Sequence, residues 1–420
     1  MSRTGVATAL EAVALFRKGE FVAPFLRRAQ LSAGDRALAQ SLTYGAVRRW
    51  TLWQRALRAF LKPRPSAFSQ EVRDALTLMA VGLIELPTFA PQVLASALVS
   101  AVKKKDFRGS RALNAVARRM TEELKGWLES LGEEAAPDLV GLTPWAYDQL
   151  KARGAEAFEA LKVHMNRPPL LAVYATQEGE KLLAASGLRY RPSSRSGVFL
   201  LDEGLLPTAL PGFEEGHLWP ASVTSIEICA RIADHLPQGA HLVELCAGRG
   251  VKTGLLRHMR PDVTLEAWDL SPNRLAVAGQ RLEKAGLSDG VTFVAGDSRQ
   301  LTPLRRPQAV FLDAPCSGSG TWSRHPESKW QATAQAVESL AQLSYELAAH
   351  GAQMLDPGGL FAFATCSLFQ KENEENTDRF KALGLRPLEG EERLWWPDCP
   401  QSDGFYSWLA RKEEVDGTIF

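Results

Sequence analysis

Two segments of this sequence carry residues able to do covalent chemistry. In Leu312–Trp322 (LDAPCSGSGTW) and Phe363–Asn373 (FATCSLFQKEN), a Cys-Ser pair follows an apolar, strand-like run, which singles out Cys316 and Cys366. A thiolate is a potent nucleophile, although an ordinary thiol of pKa ~8.5 is only a few per cent ionised at neutral pH. Such a group can add to an electron-poor double bond and leave again. Cytosine illustrates the use: its C5 is a poor nucleophile until a thiolate adds at C6, after which C5 can attack a methyl sulfonium. Loss of the C5 proton then expels the thiolate. Asp313, just ahead of Cys316, is placed to meet the N3/N4 edge of the pyrimidine, where a proton is needed during addition. Pro315 stiffens the turn between them. Taken singly, either cysteine reads as a small strand-end packing residue; two Cys-Ser turns downstream of a nucleoside-site pattern favour the functional reading.

That pattern begins at VELCAGRGVKT. Gly248 and Gly250 permit backbone conformations closed to other residues and let a ligand approach the main chain. The loop comprises Cys246, Ala247, Gly248, Arg249, Gly250, Val251 and Lys252. Asp269 ends the next strand-like run, LEAWD, at the distance where a carboxylate can accept ribose hydroxyls. Asp297 ends VAGD one unit later, where it could bind an adenine amino group. A dinucleotide fingerprint is incomplete, because Thr253 stands where its third glycine would be. As plain structure, Asp269 and Asp297 would cap the helices that follow them.

The elements that must position these residues alternate. AHLVELCAG, VTLEAWDLS, VTFVAGDS, PQAVFLDAPC and GGLFAFATCS are apolar runs separated by helix-like stretches. This predicts an α/β, Rossmann-like, mostly parallel sheet over residues 216–420, with ligands beyond the carboxyl ends of its strands. Residues 1–130 instead show apolar residues at three- and four-residue spacing throughout and predict an all-α bundle. Asp35 is the expected cap of the helix running from DRALAQ to ALRAFL, with Pro63 to Ser69 ending it. Residues 131–215, entered through Pro168-Pro169, predict a small α/β linking domain whose chemistry is not legible.

The net charge of +1 conceals an asymmetry: residues 1–130 hold 21 Lys+Arg against 10 Asp+Glu. The rest of the chain is correspondingly acidic, which suggests a polyanion-binding module joined to a separate globular body. The five cysteines, Cys229, Cys246, Cys316, Cys366 and Cys399, are odd in number and include no CxxC pair, which argues against a disulfide framework or a zinc site. No apolar run reaches about 18 residues, and the N-terminus lacks a signal-peptide pattern, so a cytoplasmic protein without metal or membrane partner is expected.

DAPCSGSGTWSRHPESKW, ATCSLFQKEN, ELCAGRGVKT and the closing DGFYSWL (Asp403 to Leu409) together resemble the RsmB/Sun-type (Fmu, NSUN-like) RNA cytosine-C5 methyltransferases. The stretches RALAQSLTYGAVRRW, LTLMAVGLIEL and RALNAVARR are similar to that family's NusB-like helical RNA-binding domain. The resemblance implies S-adenosylmethionine as cofactor and RNA, most often ribosomal, as substrate. It assigns nucleophilic attack to Cys366 and product release to Cys316. It places the cofactor on Cys246 to Lys252 with Asp269, Asp297 and Asp313. Arg324, His325 and Lys329, in SRHPESKW, become candidates for contact with RNA, and a monomer is expected. The loop departs from the family's CAAPGGKT: Arg249 replaces proline and Val251 replaces glycine. WPASVTSIEIC likewise lacks the acidic and glutamine residues usual ahead of the loop. The rival reading is an RNA-binding or ribosome-assembly factor of the same fold that has lost activity. Trp395-Trp396 could stack on a base, though core packing is the commoner use of such a pair.

Overall fold

The structure, a computed structural model, describes residues 4–61, 68–166, 170–201, 207–397 and 401–413. Contacts divide it into two units: residues 1–149 with 325–331, and residues 150–324 with 332–420.

The first unit is helical: α1 (Gly5–Arg17), α2 (Val22–Arg28), α3 (Ala33–Arg48), α4 (Trp50–Phe60), α5 (Gln70–Glu85), α6 (Pro91–Lys103), α7 (Phe107–Glu129), α8 (Ala136–Val140) and α9 (Pro144–Lys151), the last running past the division. The apolar faces of α1 and α3–α7 meet in one core around Leu42, Trp53, Leu76, Leu98 and Leu113. Where one helix is expected from DRALAQ to ALRAFL, the chain breaks at Arg49 (φ −126°), which serves as boundary to both α3 and α4. Ser32, not Asp35, is the N-cap of α3: its hydroxyl accepts from the Asp35 amide. Asp35 instead accepts from the amide of Gly5, tying α3 to the start of α1. Ser69 caps α5, while positions 63–67 of the expected PRPSAFS stop lie outside the described residues.

The second unit opens with α10 (Ala155–Asn166) and a four-stranded antiparallel sheet of order β2-β3-β1-β4. Its strands are β1 (Leu171–Ala175), β2 (Tyr190–Pro192), β3 (Val198–Leu201) and β4 (Leu218–Ala221), with α11 (Gln177–Ala185) between the first two. Then come α12 (Val223–His235), β5 (His241–Leu245), α13 (Val251–Met259), β6 (Thr264–Asp269), α14 (Pro272–Lys284), β7 (Val291–Ala295) and β8 (Ala309–Asp313). They are followed by α15 (Ala334–Met354), β9 (Leu360–Thr365), α16 (Glu374–Phe380), β10 (Leu385–Trp395) and β11 (Phe405–Lys412).

The seven-stranded sheet has the order β10-β11-β9-β8-β5-β6-β7, parallel from β5 to β9, with β11 antiparallel to both of its neighbours. The strand order reverses at β5, which pairs with both β6 and β8. Ligand sites of doubly wound sheets lie beyond the carboxyl ends at such a point. β5 and β9 are buried along their whole length, as continuous apolar runs in a covered parallel sheet should be. All five strands expected from the sequence are present; the β10–β11 hairpin that completes the sheet is not foreseen by the alternating pattern. Among the described residues no helix is long and apolar enough to cross a membrane.

Candidate active site

Beyond β5 the chain makes a tight loop through three left-handed residues: Cys246 (φ 63°), Gly248 (φ 59°) and Gly250 (φ 69°). Cys246 adopts a conformation that side chains rarely take. Gly250 is the N-cap of α13, and a Cβ there would lie 2.8 Å from the Cβ of Ala278, so glycine is required for space as well as for φ. Gly248 is different: the nearest atom to an added Cβ is the Cys246 carbonyl at 4.0 Å, so its main chain faces open space.

Asp269, at the end of β6 and 5% exposed, organises this loop. Oδ2 accepts from the Gly248 amide (2.9 Å) and Oδ1 from the Ser271 amide (2.8 Å). Each carboxylate oxygen still has a second lone pair, so these bonds aim the group without exhausting it. Asp297, after β7, is held by the guanidinium of Arg299 (Nη2 to Oδ2, 2.7 Å), whose hydrogen bonds keep its carboxyl below the usual range. Glu244, within β5, is fully buried, and burial pushes its carboxyl up to about 8. Thr253 donates to its Oε2, while Oε1 has no hydrogen-bond partner. A buried acceptor left unpaired is costly and is commonly met by a ligand or water.

On the adjacent strand β8, Asp313 accepts from the Lys252 ammonium across 2.6 Å. Burial lowers the Lys252 pKa, but the Asp313 charge outweighs it and the net shift is upward. The loop lysine, expected as part of a cofactor cradle, is therefore joined to the carboxylate expected to act on the base.

Cys316 and Cys366 are brought together, with Sγ atoms 3.4 Å apart. Cys366 sits one residue beyond the buried end of β9 and is itself only partly buried. The sulfur of Cys366 and burial together hold the Cys316 thiol well above its ordinary pKa. Cys246 is pushed up to about 12, and Cys229 is raised as well, in both cases chiefly by burial. These two are protonated fillers at neutral pH. Cys399 lies outside the described residues.

The segment after Cys316 is pinned to its surroundings. The Gly320 amide donates to the Cys366 carbonyl (2.9 Å), and the Gly404 amide donates to the Gly320 carbonyl (2.9 Å). A Cβ on Gly320 would meet the Gly404 carbonyl oxygen at 2.0 Å, so the DGF segment and the Cys316 loop approach more closely than any side chain allows.

Of the candidates for RNA contact, His325 is exposed. Arg324 donates to Asp403 (2.9 Å) and to the Leu170 carbonyl (3.2 Å). Lys329 is 1% exposed and donates to the Arg48 carbonyl inside the helical unit. The expected contact of Lys329 with RNA is corrected accordingly: desolvation holds its pKa well down, and its nitrogen is engaged by protein backbone. Trp395 is partly buried, with the guanidiniums of Arg231 and Arg393 against its ring.

Sequence reasoning missed Glu372, Ser317, Ser367, Thr365 and Asn373, which are hydrogen-bonded around the two cysteines. All five lie within the two quoted cysteine motifs; nothing in their spacing says which strand end they face.

A glycine loop, acidic strand ends and paired cysteines at the switch point of a doubly wound sheet define a methyltransferase-class α/β enzyme. Residues 234–406 match the family model described as 16S rRNA methyltransferase RsmB/F. Ribosomal RNA small subunit methyltransferase B of Escherichia coli O6:H1 is 30% identical over 409 residues, covering 93% of this chain and 91% of that protein. The chain belongs to the RsmB/F family of S-adenosylmethionine-dependent rRNA methyltransferases. Among solved structures, that of PH0851 aligns with a TM-score of 0.76 at 20% identity, covering 97% of this chain and 98% of that one. A methyltransferase homologue from Pyrococcus horikoshii aligns at 0.57 and 22% identity, over 67% of this chain and all of its own. At these identities the two structures attest the fold alone.

Proposed function

We propose that this protein methylates C5 of a cytosine in small-subunit ribosomal RNA through a transient bond between Cys366 and C6. The carrying observation is the sulfur pair: Cys366, partly buried just beyond β9, lies 3.4 Å from a second thiol held protonated. Two adjacent sulfurs suit a reaction in which one attacks and the other stands beside it at release.

S-adenosylmethionine supplies an electrophilic methyl group when bound. The residues fit it: open main chain at Gly248, an unpaired buried oxygen on Glu244, and Asp269 on the next strand end. Cys246 to Lys252, with Asp269 and Asp297, would hold it; Asp297 would do so from within its Arg299 pair. Asp313 and Lys252 serve the base. As the Cys366 thiolate adds to C6, density moves toward N3, and the Lys252–Asp313 pair holds the proton needed there. Solvent water then takes the C5 proton, the C5–H electron pair becomes the C5=C6 bond, and the C6–S bond breaks to release the Cys366 thiolate beside Cys316. A cytosine that reaches a partly buried thiol must leave any base stack, so a loop, single strand or flipped base is the expected substrate.

Bisulfite mapping of ribosomal RNA from cells with and without the protein tests this. A cytosine that reads as methylated only when the protein is present is expected. Unchanged maps, with the methyl group found on another base or atom, refute the C5 assignment. The inactive-factor reading draws on the altered loop alone, whereas Cys366, Cys316 and Asp313 are all retained.

A further inference from the structure

Both cysteine turns end on one carboxylate. Glu372 lies in the short 3-10 turn Gln370–Glu372 after β9 and is 1% exposed. Its Oε1 accepts from the Ser317 amide (2.7 Å), and its Oε2 accepts from the Ser317 hydroxyl (2.6 Å) and the Ser367 hydroxyl. Ser317 directly follows Cys316, and Ser367 directly follows Cys366. Ser319 also accepts from the Leu368 amide (2.7 Å) across the two turns, and within the Cys366 turn the Asn373 side-chain amide donates to the Ser367 carbonyl (2.9 Å). Asn373 in turn accepts from the Thr365 hydroxyl (2.6 Å).

Burying a carboxylate is unfavourable unless its oxygens are hydrogen-bonded. Here the donors come from two loops whose serines are 50 residues apart, at the ends of neighbouring strands. The arrangement fixes each loop relative to the other, which packing of apolar side chains, being non-directional, would not do. Burial shifts the Glu372 carboxyl upward, against the pull of its serine donors.

We propose that Glu372 is a positioning residue that ties the Cys316 turn to the Cys366 turn and so sets how the two sulfurs face one pyrimidine. This rests on the cysteine-adduct reading above, and the test separates the two. In the full-length protein, Glu372→Ala should lower the single-turnover methylation rate about 100-fold, as expected of misplacement by about 1 Å, with KM for RNA little changed. Glu372→Gln keeps an acceptor for the Ser317 amide and offers a donor to a serine oxygen, so it should recover most of the rate. A merely structural role would lower melting temperature without that split or that rescue.

A second readout needs neither RNA nor cofactor. Diamide takes two electrons and two protons from a pair of close thiols as their disulfide forms, and Glu372→Ala should slow that reaction between Cys316 and Cys366. Should Glu372→Ala fail to fold, Ser317→Ala and Ser367→Ala each remove one arm, and each should show a partial loss in both assays. An alanine variant with wild-type methylation and wild-type diamide kinetics overturns the proposal, as does a glutamine variant no better than alanine. If the wild-type protein forms no cytosine adduct while the diamide rate still depends on Glu372, the adduct reading fails and the tie between the turns stands.

Discussion

Lys252 donates its ammonium to Oδ2 of Asp313 across 2.6 Å, joining the first turn of α13 to the end of β8 over 61 residues of sequence. Only 11% of the lysine side chain and 28% of the aspartate are exposed. Removing one partner leaves the other desolvated without a counter-charge. Lys252→Met should therefore lower the single-turnover rate by about 100-fold, the low end for loss of a positioned acid–base group. Methylation by that variant at the wild-type rate, measured by tritium transfer from labelled cofactor, would remove the pair from the reaction.

The two cysteines should fail in different ways. Cys366→Ala should abolish methyl transfer while cofactor affinity by calorimetry stays near wild type. Cys316→Ala should instead accumulate a protein–RNA adduct, seen as a band that survives denaturing electrophoresis. Full activity in the first variant, or no band in the second with a confirmed substrate, reverses the assignment.

Glu244 makes stability depend on pH. Its folded-state value near 8 lies above the ordinary 4.5, so the folded protein keeps a proton that the unfolded chain gives up. Its stabilising contribution is present in full below about pH 4.5 and is lost as pH rises through about 8. Glu244→Gln should flatten the fall in melting temperature between those limits. If the variant and the wild type show parallel curves, Glu244 is ionised in the folded state.

Lys103, Lys104 and Lys105 are exposed at and just after the end of α6. As phosphate contacts, each should contribute about 0.7–0.9 to the slope of log affinity against log salt. Replacing all three with glutamine should weaken RNA binding at low salt and reduce that slope. An unchanged slope in filter-binding titrations would leave these lysines as a solvated face.

Gly250→Ala tests the loop itself. The φ of 69° and the 2.8 Å approach to Ala278 should together cost about 1–3 kcal/mol. A thermal melt that matches wild type would mean the loop relaxes without strain.

Local pattern carried a large part of this. The strands β5 to β9 are mainly apolar runs that give way to small and polar residues, so Cys246, Asp269, Asp313 and Cys366 are legible as strand-end residues. The helical character of the first unit follows from three- and four-residue apolar spacing, but the break at Arg49 does not, because that spacing carries on across it. Ser32 and Asp35 are both good capping residues, and only the bond from the Gly5 amide to Asp35 decides between them.

By itself, then, the sequence determined which residue types stand at strand ends, since backbone alternation and turn chemistry act over a few neighbours. Tertiary structure decided what those residues do. The order β9-β8-β5-β6-β7 places Lys252 on Asp313, Cys316 beside Cys366 and Glu372 between two serines, and it commits Asp269 to the glycine loop. Packing of residues 325–331 within the helical unit removes Lys329 from solvent. Strand adjacency is a non-local choice made by burial of whole faces, and no short window of sequence encodes it.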